Sequence, residues 1–416
     1  MTMARPRVPW SELPQDPISV ILTRLDVSDV LNFAWTCKSW GNICRHLNAS
    51  IFKSGTLMMI TSKSSQDGCL TQDGLEDGIF GVHEVGVGKS FDCKHRLLRN
   101  KSWIGGKDDW LVSTNDCIDL QITNPITADV VPLPRLNTID KFEMHTDQEV
   151  QVVFEHTHSI RRVVLCQTPS SPNGHFAIAL FNDGLMACTA RGQSDWKLFT
   201  HPTQLFSGCY THYPEVWLDA IVHQGRVVAV NEGGYIYAWS MNDPEAYPIK
   251  LTTPEFSTTG DSMVYYLATS HTGRLLLISV HGEERRYIEP GLRMVVSEQD
   301  RIEQPTALSI YIYDDTGDAW QRTRSVGDGQ SLFLGLNYPF YGRWSNIKED
   351  RVYIASMCDN DSIIFSMDSE ADQPLDKQNY PIKKESRWPD GLSIRTPMWF
   401  RPTVPYLTGK KPQDNC

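Results

Sequence analysis

GRVVAVNEGGYIYAW, running from Gly225 to Trp239, decides the fold. Two short apolar runs flank Glu232-Gly233-Gly234, and glycine suits a tight hairpin turn that needs positive φ. A strand ends at a turn, a second strand follows, and an aromatic residue closes the unit. FNDGLMACTARGQSDW (Phe181 to Trp196) and LSIYIYDDTGDAW (Leu308 to Trp320) repeat the same order.

Working outward, strand-like blocks of one kind recur along the chain. They are WLVST at Trp110, FAIALF at Phe176, LDAIVH at Leu218, YYLATS at Tyr265, LSIYIYD at Leu308 and RVYIAS at Arg351. After a longer first gap the blocks return every ~45 residues, the period of a four-stranded propeller blade. The spacing predicts a mainly β protein, a β-propeller of about six four-stranded blades. The blocks are expected to hold equivalent positions in successive blades. Closure by residues 346–405, with a strand from near 55–61, would remove exposed sheet edges. A β-sandwich is the competing fold, but it has no need of this period. Trp110, Trp196, Trp239 and Trp320 recur near strand ends and read as blade-packing residues.

Composition bounds the function class. The chain has 416 residues, 40% of them hydrophobic, enough for one large domain and a small one. It has no apolar run long enough to span a membrane and no signal-peptide core at the N-terminus, so a nuclear or cytoplasmic, non-secreted protein is expected. The ten cysteines are scattered without a Cys-x-x-Cys pair, which fits a reducing compartment and argues against a disulfide framework or a structural zinc site. A net charge of −11 argues against a general nucleic-acid-binding surface.

The first fifty residues follow a different pattern. WSELPQDPISVILTRLDVSDVLNFAWTCKSWGNICRHL (Trp10 to Leu47) reads as two short helices. Asp16 is placed to cap the first and Pro17 to open it. Ile18, Ile21, Leu22 and Leu25 then recur at helical spacing. Ser28 can cap a second helix, whose apolar positions run from Leu31 to Leu47. So short a segment cannot bury all these side chains by itself. The excess packs either on the larger domain or on a partner.

Leu13, Pro14, Ile21, Leu22, Leu25, Asp29, Leu31, Cys37, Lys38 and Trp40 together resemble the F-box family. Pro17 and Ile18 replace the usual leucine pair, Thr36 stands where valine is usual, and Gly41 replaces an arginine. The glycine weakens the helix by about 1 kcal/mol relative to alanine. Further on, WLVSTNDCIDLQITNPITADVVPLP (Trp110 to Pro134), WLDAIVHQGRVVAVNEGGYIYAW (Trp217 to Trp239), SLFLGLNYPF (Ser331 to Phe340) and RTPMWFRP (Arg395 to Pro402) are similar to the plant domain of unknown function 295, or KIB-type β-propeller domain. The resemblance implies an F-box over 10–50, a linker with a possible closing strand over 51–100, and a propeller over 101–405. It implies a plant protein, the substrate-recognition subunit of an SCF-type cullin ubiquitin ligase. Such a subunit docks a Skp-family adaptor, and through it a cullin, and captures a target protein, with no membrane, nucleic-acid or cofactor partner. By match to the family pattern, Leu13, Pro14, Ile18, Leu22, Leu25, Leu31 and Trp40 are the expected adaptor contacts.

Apparent catalytic signals do not hold together. GVGKS (Gly86 to Ser90) lacks the first glycine of a P-loop, since His83 stands there. Asp314, Asp315 and Asp318 lack EF-hand spacing and read as a solvated hairpin turn. His156 and His158 could share a strand face but have no third ligand in register nearby. No catalytic or metal residue is assigned. CYTHYPEVW (Cys209 to Trp217) and NYPFYGRW (Asn337 to Trp344) are turn-rich and aromatic, of the kind enriched in binding hot spots. Tyr338, Phe340, Tyr341, Arg343 and Trp344 are the expected target-binding residues, with a role in joining blades as the alternative. A propeller-fold hydrolase or sugar-active enzyme, and a scaffold that docks the adaptor without delivering targets, are the alternative functions.

Overall fold

The computed structural model describes residues 13–43, 58–64, 79–84, 89–94, 101–136, 160–202, 216–255, 262–284, 302–343, 347–358, 361–367, 380–387 and 393–401, with short gaps inside several of these spans. Two helices come first, α1 (Gln15–Leu22) and α2 (Val27–Thr36). Helix α1 begins one residue before Asp16, so Asp16 and Pro17 lie in its first turn. There an acidic side chain suits the helix N-terminus and the missing proline N–H costs nothing.

Strands β1 (Met58–Ser64), β2 (Ile79–Glu84) and β3 (Lys89–Lys94) follow as an antiparallel meander. Three complete four-stranded meanders come next. The second blade holds β4 (Ser102–Lys107), β5 (Trp110–Thr114), β6 (Leu120–Asn124) and β7 (Asp129–Pro132). The third holds β8 (Ile160–Gln167), β9 (Phe176–Phe181), β10 (Met186–Ala190) and β11 (Lys197–Leu198). The fourth holds β12 (Trp217–His223), β13 (Arg226–Asn231), β14 (Ile236–Ser240) and β15 (Ile249–Lys250). The fifth is β16 (Ser262–Thr269), β17 (Leu275–Glu284), β18 (Ile302–Asp314) and β19 (Ala319–Thr323). Its sheet continues through β20 (Ser331–Leu334), β21 (Phe340–Gly342), β22 (Val352–Cys358), β23 (Asp361–Met367) and β24 (Tyr380–Arg387). Finally β25 (Ser393–Phe400) pairs antiparallel with β1 and completes the first blade, so the last strand of the chain closes the ring onto the first.

The molecule is a β-propeller with five four-stranded blades, where the period predicted about six. The difference lies in β20–β24. Strand β20 pairs in parallel with β22, and β24 pairs with β18. These five strands are therefore fused to the fifth blade rather than forming another antiparallel meander. Two further expectations are corrected. Residues 51–100, expected as a linker with a possible closing strand, do supply that closing strand as β1, but β2 and β3 with it make three of the four strands of the first blade. The recurring blocks are not equivalent either. WLVST and FAIALF are second strands, LDAIVH and YYLATS lie in first strands, and LSIYIYD lies in a third strand. First strands begin at Ser102, Ile160, Trp217 and Ser262, and this spacing is uneven because the connections differ in length.

The turn that set the fold forms as expected. Residues 232–235 join β13 to β14, with Gly234 at φ 77°. Across the blade, Gln224 and Gly225 both take positive φ, which makes the two-residue turn between β12 and β13 twist with its strands.

Blades pack through apolar seams. One buried cluster joins the second and third blades, another the third and fourth, another the fourth and fifth, and another the fifth blade to β20 and β22. Backbones come close where these blades meet. A Cβ added to Gly105 of β4 would fall 1.8 Å from the Val163 carbonyl oxygen of β8, so only glycine fits there.

Three tryptophans lock successive blades by one repeated contact. Trp196 donates its indole N–H to the Pro134 carbonyl at 2.8 Å, Trp239 to Thr200 at 2.9 Å and Trp320 to Thr252 at 2.7 Å. Each acceptor lies just past the fourth strand of the preceding blade. The polar end of each indole is thereby satisfied while its ring packs on the seam, buried at Trp196 and Trp239 and half-buried at Trp320.

Candidate functional site

Two features could carry function: the helical segment and the centre of the ring. In α1, Ile18 and Leu22 lie one turn apart on one face, and both are fully buried. Val30 and Ala34 of α2 are buried with them. These four share a single apolar cluster with Val82 of β2, Met398 and Phe400 of β25, Trp103 of β4, Leu111 of β5, and Leu336. That cluster fills the seam between the first and second blades. Leu13, Leu25, Phe33, Trp40 and Ile43 are partly buried against it, and Trp40 stacks on Phe33 at 4.1 Å. Burying an Ile or Leu side chain stabilises by about 1.5–3 kcal/mol.

The expected adaptor residues differ in burial. Ile18 and Leu22 are buried in a cluster that α1 and α2 share with strands of the first and second blades. Pro14 is exposed, while Leu13, Leu25 and Trp40 are half-buried. Leu31 lies in α2, but its side chain is outside the described residues. Val20 and Ile21, which the family pattern did not single out as contacts, are 57% and 39% exposed.

The centre of the ring is polar and tightly matched. Arg162 of β8 pairs with Asp219 of β12 at 2.9 Å, both essentially excluded from solvent. Its remaining N–H groups donate to the Leu336 carbonyl at 3.2 Å and the Asn337 carbonyl at 3.0 Å. Asp219 accepts from the Leu267 and Ala220 N–H groups, each at 2.9 Å. Burial raises the Asp219 carboxyl above its ordinary value, against the lowering by Arg162 and these two donors. One ion pair thus ties the third, fourth and fifth blades to the strand-to-strand segment at 335–339.

That segment also reaches the second blade. The Tyr338 N–H donates to the Gly106 carbonyl at 2.7 Å, and Lys107 holds its ammonium 3.7 Å from the centre of the Tyr338 ring. Lys107 donates to the Cys166 carbonyl at 2.9 Å, and burial lowers its pKa. At the point of closure Trp399 donates to the Leu334 carbonyl at 2.6 Å, and Arg401 pairs with Asp108.

The expected target-binding cluster is therefore divided. Tyr338 sits half-buried under Lys107. Phe340 and Tyr341 belong to β21 and are half-buried, with Phe340 stacked on Phe333 at 5.1 Å. The stretch expected to be turn-rich is thus partly strand, because β20 offers its edge to it. Arg343 is exposed and pairs with Glu349 at 3.0 Å. Trp344 lies outside the described residues, as do His156, His158 and most of Cys209–Trp217, whose final Trp217 is 1% exposed.

Among the described residues no group of His, Cys, Asp or Glu is placed to hold a metal ion. Burial pushes the Cys166 thiol up to about 12 and the Cys188 thiol to about 11, which disfavours the thiolate a nucleophile needs. Asp314, Asp315 and Asp318 lie in and around the β18–β19 turn. Asp314 accepts from Thr316, and Asp318 accepts the Tyr313 hydroxyl at 2.6 Å. The central arginine and aspartate could not have been singled out from sequence, since they are 57 residues apart with nothing to mark them as a pair.

The profile of the F-box domain matches residues 10–50, and that of the KIB1-4 beta-propeller matches residues 82–380. F-box protein KIB4 of Arabidopsis thaliana is 20% identical over 66% of this chain and 63% of its own length. F-box protein At1g49360 of the same plant is 27% identical over 32% of this chain and 26% of its own length. The matched regions thus span less than two thirds of these relatives. Among solved structures, the Cps50 (Swd1) beta-propeller domain of Myceliophteria thermophila is 9% identical, with 74% of this chain and 80% of that chain covered at a TM-score of 0.36. With the KIB1-4 profile spanning most of its length behind an F-box domain, the chain belongs to the KIB1-4 beta-propeller family of F-box proteins.

Proposed function

We propose that this chain is the substrate-recognition subunit of an SCF-type cullin ubiquitin ligase. Its F-box helices dock a Skp-family adaptor, and through it a cullin, and its propeller holds a target protein. The observation that carries this reading is the presence in one chain of an F-box and a KIB1-4 propeller. The exposed Val20 and Ile21 supply apolar surface for a protein partner. The chain acts as an adaptor rather than an enzyme. Holding a target lysine near a charged conjugating enzyme raises its effective concentration, and no chemistry in this chain is needed. On the propeller, Arg343 offers an exposed planar donor group beside the half-buried Phe340 and Tyr341, the combination that favours protein capture.

Affinity purification of the tagged full chain from plant tissue, followed by mass spectrometry, tests this. A Skp-family adaptor and a cullin should co-purify in near-stoichiometric amounts with one or more further proteins. Recovery of the chain with neither ligase component would overturn the reading.

A further inference from the structure

We infer that α1 is gripped from two sides, so that the F-box is a fixed outgrowth of the ring rather than a tethered module. Ile18 and Leu22 seat it on the seam between the first and second blades, while Val20 and Ile21 face the adaptor. The adaptor half of this inference rests on the function proposed above. The seat does not.

For Val20 the division follows from helix geometry and burial, and for Ile21 from its exposure. Residues 18 and 22 lie on nearly the same line of a helix, and residue 20 projects about 180° away from that line. Burial follows this division: Ile18 and Leu22 are fully buried, and Val20 is the most exposed large apolar side chain among the described residues. Among the described residues, the seam cluster between the first and second blades is the one that contains helix residues. That seam is where the chain enters the ring, since β1 follows the helices and pairs with β25. Ile18 and Leu22 act as positioning residues: they fix the direction in which the propeller presents a target relative to the adaptor. Val20 and Ile21 offer that adaptor an apolar contact that the ring leaves uncovered.

Hydrogen exchange on the full chain, read with and without a purified Skp-family adaptor, separates the parts. In the wild type, adaptor binding should slow exchange in residues 15–36 and leave β25 and β4 unchanged. Faster exchange in β25 and β4 on adaptor binding would mean that the adaptor pulls the helices off their seat, and would overturn the inference. Leu22→Ala, without adaptor, should speed exchange in α1 and in β25 and β4 together. A change confined to the helices would make Leu22 part of the F-box interior alone and would also overturn it. The double variant Val20→Asp with Ile21→Asp should weaken adaptor binding about tenfold or more while leaving exchange at the seam unchanged. Wild-type affinity in that variant would refute the outward face. If the wild type binds no adaptor at all, the proposed function fails, while the Leu22→Ala result still decides the seat.

Discussion

Two arginine–carboxylate pairs in this molecule are almost the same length. Arg162 meets Asp219 at 2.9 Å in the centre of the ring, and Arg343 meets Glu349 at 3.0 Å on the surface. Their side chains are 2% and 1% exposed in the first pair and 59% and 53% in the second. In water the second pair is screened and contributes little, while the first has no solvent to replace a lost partner. Distance therefore ranks neither interaction. The number of other groups that depend on each pair ranks them, and at the centre those groups include two carbonyls, two N–H donors and three blades.

Arg162→Ala is the sharpest way to break this contrast. It strands the Asp219 carboxyl in a buried site and frees the Leu336 and Asn337 carbonyls. The expected loss is about 3–5 kcal/mol, read by chemical denaturation. A loss below ~1 kcal/mol would mean that water reaches the centre and that the two pairs are alike.

Between centre and surface stands His201, buried beside Trp217 with ring centroids 5.8 Å apart. Burial lowers its pKa to about 4, so the folded state holds it neutral where the unfolded chain would protonate it. Its contribution is complete above the unfolded value near 6.5 and is lost as pH falls from there toward 4. Over that window stability should decline by up to about 3 kcal/mol. His201→Gln should flatten this part of the pH–stability curve, and a slope unchanged by the substitution would assign the decline to other groups.

The smallest effect is expected at the surface pair. Arg343→Ala should change stability by less than about 1 kcal/mol, with an unaltered denaturation midpoint within error. A larger cost would show that its second contact, to the Gly329 carbonyl at 3.1 Å, holds the 329–343 segment in shape.

These three sites also mark how far sequence reading reaches. The hairpin at 232–235 and the aromatic closing residues were legible because they are local: glycine at a positive φ and an aromatic at a strand end leave marks within a few residues. The blade boundaries were not. A second strand and a first strand carry the same apolar alternation, so the block period found the repeat without its phase. Residues 51–100 carry no block of the repeat, so beyond one possible closing strand β1, β2 and β3 left no mark of their own. The centre was illegible for another reason. Arg162 reaches carbonyls 174 and 175 residues further along the chain, and a buried ion pair leaves no periodicity at all. In the helical segment, periodicity showed that an apolar excess must be covered but not by what, and Ile18 and Leu22 are buried in a cluster shared with the first two blades.

The tryptophan contacts bear on how the chain is made. Strands β11 and β15 are two residues long, too short to hold an edge by their own ladders. Each is followed at once by the carbonyl that an indole from the next blade caps. A blade is therefore not finished when its own residues leave the ribosome; it is finished one blade later. The dependency runs from the second blade through the fifth, and the ring itself closes when β25 returns to β1. Because Met398 and Phe400 of β25 form part of the seam beneath α1, the helices emerge first and receive their support last. A nascent or truncated chain carries an F-box without its seat, and only a fully synthesised ring presents that F-box in a defined direction.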